Sequence, residues 1–158
     1  MTVLKRSTDT RTGITVVRTG NSVETYNILG KKIHVVDATY YPRKILTHRW
    51  FSEVFDEEIM EILGGHFVDE FVASRCTRIL ADLSQWQVSW NGVNDGRRDD
   101  LMPRLYAAGL RHLAVMVAPT EDSESNRFAA ERFQNENPGI NSNFTSEAAA
   151  VAWLGAQP

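Results

Sequence analysis

The sequence predicts a mixed α/β fold in which an N-terminal antiparallel meander is followed by parallel crossover strands packed with about four helices. Three observations predict it. Short β-branched runs separated by turn residues fill positions 14–50; apolar spacing switches to three and four residues at Asp56; from there helix-like and strand-like segments alternate. The chain has 158 residues, of which 42% are hydrophobic, enough for one domain with a real core.

Residues 1–13 are rich in Thr, Ser, Arg and Lys without periodicity, and they read as a flexible basic tail ahead of a single domain at 14–158. "GITVVRT" and "SVETYNIL" form an extra N-terminal hairpin over 14–32, turned at Gly20-Asn21 and closed by Gly30-Lys31-Lys32. The core, 33–156, opens with the alternating strand "IHVVDATYY", which Pro42-Arg43-Lys44 reverses into "ILTHRWFSEV".

In "DEEIMEILGGHFVDEFVASRC" the residues Ile59, Ile62, Leu63, Phe67, Phe71 and Val72 recur at helical spacing. Asp56, Glu57 and Glu58 suit the positive end of its dipole, and Arg75 and Arg78 suit the far end. Gly64-Gly65 in the middle predicts a bend or a close contact with the sheet. "TRILADL" is a short buried strand, "DGRRDDLMPRLYAAG" a helix stopped by Gly109 and kinked by Pro103, and "LRHLAVMVA" a parallel core strand. "SESNRFAAERFQNEN" is a helix, Asn137-Pro138-Gly139 a turn, "INSNF" a weak edge strand, and Thr145 or Ser146 caps the helix "SEAAAVAWLG".

The net charge of −3 excludes a generally basic nucleic-acid binder, but the charge is uneven. Residues 1–49 hold nine Lys/Arg against three Asp/Glu, and the remainder is acidic. The favoured reading is that the arm pairs with the acidic body or stays solvated, ahead of contact with an acidic or nucleic partner. No apolar run is long enough to span a membrane, and the start has no apolar secretory segment. With a lone Cys76 that cannot form an internal disulfide, the expectation is a cytoplasmic protein, and the Asn143-Phe144-Thr145 sequon is incidental.

The segments "ILTHRWFSEVFDEEIMEIL", "RILADLSQW", "LMPRLYAAGLRHLAVMV" and "NFTSEAAAVAWL" together resemble the STAS-like fold of anti-sigma factor antagonists. They resemble most closely the small bacterial STAS/SEC14 domain-containing proteins. The resemblance implies a scaffold that binds partners and catalyses nothing. In the antagonists the loop after the Asp-Leu-Ser strand presents Asp-Ser-Ser-Gly, whose serine a partner kinase phosphorylates. Laying Asp82-Leu83-Ser84 on that strand puts Trp90-Asn91-Gly92-Val93 at the acceptor segment, with Ser89 as a weak substitute, so the phospho-switch does not carry over.

Catalytic signatures are missing: there is no Gly-x-Ser-x-Gly, no Walker lysine, no His-Glu-x-x-His and no cysteine cluster. No cofactor, metal or catalytic residue is assigned. His34 and His48 can sit side by side across the strand pair, with Asp37 completing a metal site, but chance placement on a sheet face is the favoured reading. His66 and Glu70, one helical turn apart, are read as core-edge packing ahead of a relay. His112 stands in a fourth element. Cys76 is read as buried, and Asp82 as a loop cap ahead of a catalytic acid.

The loop "SWNGVNDGRRDD" carries the preferred binding surface. Gly92 and Gly96 allow an array of backbone N–H groups, Arg97 and Arg98 add charge, and Trp86 and Trp90 supply an aromatic edge for a protein partner or an anion. The plain alternative is a turn whose arginines pair with Asp99 and Asp100. The expected function is a non-enzymatic interaction or regulatory domain. The alternatives are a small apolar ligand or lipid carrier of the SEC14 kind, with its cavity between the Gly64-Gly65 helix and the sheet, and an enzyme using Asp82 with a histidine. Self-association through the meander's edge strand is a further expectation.

Overall fold

Eight strands form one open mixed sheet in a computed structural model of the chain, which describes residues 3–51, 56–85, 100–117 and 141–158. Strand order equals sequence order. β1 (Val3–Thr8), β2 (Thr15–Thr19), β3 (Ser22–Tyr26), β4 (Lys32–Asp37) and β5 (Ile45–Trp50) are antiparallel neighbours. β6 (Arg78–Asp82), β7 (His112–Met116) and β8 (Asn141–Phe144) extend the sheet in parallel from β5. The fold class read from the sequence is therefore the one observed.

The expected tail is corrected. Val3–Thr8 pairs with β2, Ser7 opposite Val16 and Thr8 opposite Thr15, and the two threonine hydroxyls lie 2.9 Å apart. A polar composition is what an exposed edge strand carries, so composition alone mistook it for tail. The turn that follows is held by Asp9, whose carboxylate accepts the N–H groups of Arg11 at 2.8 Å and Thr12 at 3.2 Å.

β3 ends earlier than its β-branched pattern suggests. Asn27 Oδ1 accepts the N–H groups of both Leu29 and Lys31 at 3.0 Å, closing a side-chain-nucleated turn that throws Ile28 and Leu29 outward. Those two residues are 75% and 78% exposed. The reversal between β4 and β5 is a 3-10 turn at Tyr41–Arg43, with Lys44 in the left-handed region.

The long helix is α1 (Asp56–Ile62) and α2 (Val68–Ser74) joined by a π-helical turn at Leu63–Phe67. Gly65 leaves helical backbone angles there, which is the bend the glycine pair predicts. Arg104 of α3 (Met102–Ala107) donates to the freed carbonyl of Gly64 at 2.9 Å. Pro103 is the second residue of α3 and directly follows the π-helical Asp100 and Leu101, so regular α-helical structure starts only at the proline's own turn. α4 (Glu147–Ala156) starts at Ser146, whose hydroxyl accepts the Ala149 N–H at 3.3 Å. The helix expected over 123–137 and the Asn137-Pro138-Gly139 turn lie outside the described residues.

Successive crossovers that advance in one direction place their helices on one face. Accordingly α1, α2 and α3 pack on the front of the sheet, where Phe67, Phe71, Ile59 and Leu105 meet Leu46, Ile79 and Val115. α4 covers the back of β6–β8, burying Ala150, Val151 and Leu154 against Leu80, Ala114 and Met116. The guanidinium of Arg78 ties down its end by donating to the Gln157 carbonyl at 2.8 Å. No described helix covers the back of β1–β4, and none is long and apolar enough to cross a membrane.

Candidate functional site

The carboxyl edge of parallel strands is where open α/β folds collect their reactive groups. Here Asp82 ends β6 directly beside Arg49 of β5, because the parallel register pairs the two positions. Arg49 donates to Asp82 at 2.7 Å and to Glu147 at 2.6 Å, and lies 3.5 Å from Asp37. Asp82's other oxygen accepts the Ser84 N–H at 2.9 Å and the Ser84 hydroxyl at 2.5 Å. Tyr40 donates to Glu147 at 3.1 Å. Three carboxylates around one cation hold the guanidinium charged and fasten the start of α4 to the sheet.

His34, His48 and His66 lie on or against the opposite face. Register places Ser7, Val16, Thr25, His34 and Trp50 in one row across β1–β5. Ile33 is the extra residue of a bulge opposite Thr25 and Tyr26, which sets His34 opposite Thr25. His34 Nε2 and His48 Nδ1 are 3.0 Å apart, and Thr25 Oγ1 is 3.1 Å from His66 Nε2. The rings of Trp50 and Phe67 close over the pair, 4.2 Å from His34 and 4.4 Å from His48.

His34 is fully buried, and its Nδ1 has no hydrogen-bond partner. Burial first, then the neighbouring His48 and His66, push its pKa well below the usual imidazole value, so the ring is neutral. Donation from His34 Nε2–H to His48 leaves the orphan Nδ1 as a lone pair, which is less costly than an orphan N–H. His66 is also lowered, mainly by burial and further by Arg18, against the opposing pull of Glu70 and Asp69.

From His66 the cluster opens onto a cleft of about 180 Å³ between the π turn and the β1–β2 hairpin. Ser7, Val16 and Ile14 line one side; Glu61, Ile62, Gly65 and His66 line the other, with Asp9 at the lip. Asp9 and Glu61 lie close together at this lip, and Arg11 reaches the Glu61 carboxyl at 3.7 Å. The Arg11 and Thr12 N–H groups hold Asp9 below the ordinary carboxylate value, whereas burial and the adjacent Asp9 raise Glu61. The cleft offers two carboxyl groups, an imidazole and a hydroxyl to a small polar molecule.

The structure brings together only some of the residues that the sequence singles out. His34 and His48 are adjacent as expected, but Asp37 faces Arg49 on the other side of the sheet and does not join them. Glu70 pairs with Arg18, while His66 bonds Thr25. Among the described residues no group of three His, Cys, Asp or Glu side chains is arranged to hold a metal. Asp82 bonds Arg49 and Ser84, with no imidazole among its partners. His112 packs against Trp153, and Cys76 is buried as read. Trp86, Ser89, Trp90, Gly92, Gly96, Arg97 and Arg98 lie outside the described residues.

The acidic lip and the Arg49 cluster escape the sequence reading. Asp9 falls in the segment read as tail, and Glu61 looks like an ordinary exposed helix residue. Arg49 did carry a signal, since an arginine inside an otherwise buried strand demands acidic partners. Comparison with protein-family models, with curated proteins and with solved structures found no match for the chain.

Proposed function

We propose that this chain is a non-enzymatic binding and regulatory domain, cytoplasmic and STAS-like, that captures a protein partner at the carboxyl edge of its parallel strands. The observation that carries the reading is the Arg49 cluster. Asp82, Glu147, Asp37 and Arg49 satisfy one another there, so the groups that an enzyme would aim at substrate hold α4 in place. The backbone leaves this edge after Gln85 into the Trp- and Arg-bearing segment 86–98. The STAS-like likeness rests on the sequence motifs in 33–156 and on the mixed α/β class.

The test is affinity capture with the full chain, followed by titration of the purified partner. Trp90→Ala and Arg97→Ala lower partner affinity at least tenfold while leaving the melting temperature within a few degrees. Wild-type affinity in both variants overturns the reading.

The cleft beside the Gly64-Gly65 turn favours a second reading, a small-ligand carrier. Its volume of about 180 Å³ is below the ~300 Å³ of a drug-sized site, and its lining is partly ionisable. The ligand that fits is thus small and polar. Native mass spectrometry of freshly isolated protein tests it: an adduct lost in Glu61→Ala supports the carrier, and bare protein counts against it.

A further inference from the structure

The most exposed large apolar side chains among the described residues are Ile28 and Leu29, adjacent at the apex of the β3–β4 hairpin. Their exposure is built in. Asn27 fixes the turn through two hydrogen bonds to the backbone, and Gly30 completes it with φ +78°. Ile28 lies against Gly13 on one flank, but both side chains are mostly in water and lose hydrophobic free energy there, which favours an apolar environment.

The surroundings are basic. Lys31 and Lys32 follow at once, and both are exposed. Beneath the apex, on the back of the meander where no described helix packs, lies a groove of about 480 Å³ lined by Arg6, Thr8, Thr15, Tyr26 and Asn27 as well as Ile28. Arg6 is the cation of its lining, while the Thr8 and Thr15 hydroxyls bond each other and the Asn27 side-chain oxygen is taken up by the turn, so what the groove offers an anion is the charge of Arg6. The Tyr26 hydroxyl donates to Glu24 at 2.5 Å, and Glu24 also meets Lys32 at 3.6 Å, so this carboxylate is occupied by its neighbours.

We infer that this hairpin docks the chain on an anionic lipid bilayer, with Ile28 and Leu29 entering the acyl boundary and the Arg6 groove receiving a phosphate-bearing headgroup. Size decides between a bilayer and a protein. A stable protein interface buries about 800 Å² on each partner, more than two side chains at a hairpin apex supply. A bilayer needs no complementary pocket and combines two weak signals, shallow apolar insertion and attraction of basic residues to anionic headgroups. Each basic residue near such a surface contributes about fivefold in affinity, and the attraction weakens with salt.

Co-sedimentation of the purified full chain with vesicles tests the inference. Vesicles of phosphatidylcholine with about 30% phosphatidylserine retain the protein at low salt and release it as salt rises, while pure phosphatidylcholine retains little. Ile28→Ser/Leu29→Ser weakens retention about tenfold and, separately, Arg6→Gln/Lys31→Gln weakens it about 25-fold at low salt. All four positions are exposed, and circular dichroism melts close to wild type confirm that the variants fold. Absence of retention on the phosphatidylserine vesicles overturns the inference. So does equal retention of the Ile28/Leu29 variant, which leaves only diffuse charge. Binding of a soluble polyglutamate peptide with the same dependence on Ile28 and Leu29 reassigns the surface to an acidic protein and also overturns it.

Discussion

His34 Nε2 and His48 Nδ1 lie 3.0 Å apart across β4 and β5, in a pocket closed by Trp50 and Phe67. One N–H serves the bond between them, and protonating either ring puts a cation among aromatic and aliphatic neighbours. His66 is the third imidazole of the group, and beyond it stand Glu70 and the Arg18 that pairs with it.

Stability should therefore depend on pH in the histidine range. The folded pKa values of His34 and His66 lie below the ordinary 6.5, so below about pH 6.5 the unfolded chain takes up protons that the folded chain refuses. Stability is complete above that pH and falls as pH drops through 6 and 5. Urea melts at pH 7.5 and 5.5 measure the loss, and His34→Phe/His48→Phe should flatten it. A wild-type midpoint unchanged between the two pH values would contradict the buried neutral cluster.

The end of α2 offers a gain in stability. Arg75 adopts φ +57°, the left-handed conformation that a side chain disfavours and glycine accepts freely. The residue is exposed, and its backbone N–H bonds Val72 as a helix terminator. Arg75→Gly should raise stability by ~0.5–1 kcal/mol, read as a higher urea midpoint at unchanged slope.

The parallel half of the sheet was legible because its strands are buried on both faces and read as unbroken apolar runs, as in "RILADL" and "LRHLAVMV". The glycine-pair bend was legible for a local reason, since two adjacent residues of low helix propensity weaken one turn of the ladder. β1 was not legible, because its stability comes from backbone pairing with β2, which leaves no apolar imprint on Val3–Thr8. The early end of β3 was hidden by Ile28 and Leu29, whose strand propensity is overruled by one Asn27 side chain. At the candidate site, sheet register brings His34 to His48, but the pleat sends Asp37 to the other face. The convergence of Asp9, Glu61 and His66 depends on how the β1–β2 turn folds against α1, a tertiary fact without sequence periodicity.

Cys76 should behave as an inert thiol. It is buried in the front core, and that burial raises its pKa, an effect only partly offset by Ser74 and Lys44. In the native chain at pH 8 a thiol reagent should label it at least a hundredfold more slowly than in urea, because labelling waits for opening of the core. Comparable rates in the two conditions would show that the α2–β6 junction opens readily.

Arg49 should be the most sensitive charged residue among the described residues. Its guanidinium bonds Asp82 and Glu147 and lies beside Asp37, while about 29% of the side chain reaches solvent. Removing the cation leaves three carboxylates facing one another where the sheet meets α4, and each then depends on water for compensation. Breaking a buried pair costs ~3–5 kcal/mol, and partial exposure lowers the expectation for Arg49→Met to ~2–3 kcal/mol. Glu147→Gln should cost ~1 kcal/mol or less, since Glu147 is one-third exposed and the amide still accepts from Arg49. Arg49→Lys should fall between them, because one ammonium cannot reproduce the planar fork that meets two carboxylates at once. Urea melts of the three variants at neutral pH rank the effects. Equal losses for Arg49→Met and Glu147→Gln would mean that Asp82 and Asp37 lose nothing when the cation goes, contrary to a shared hub.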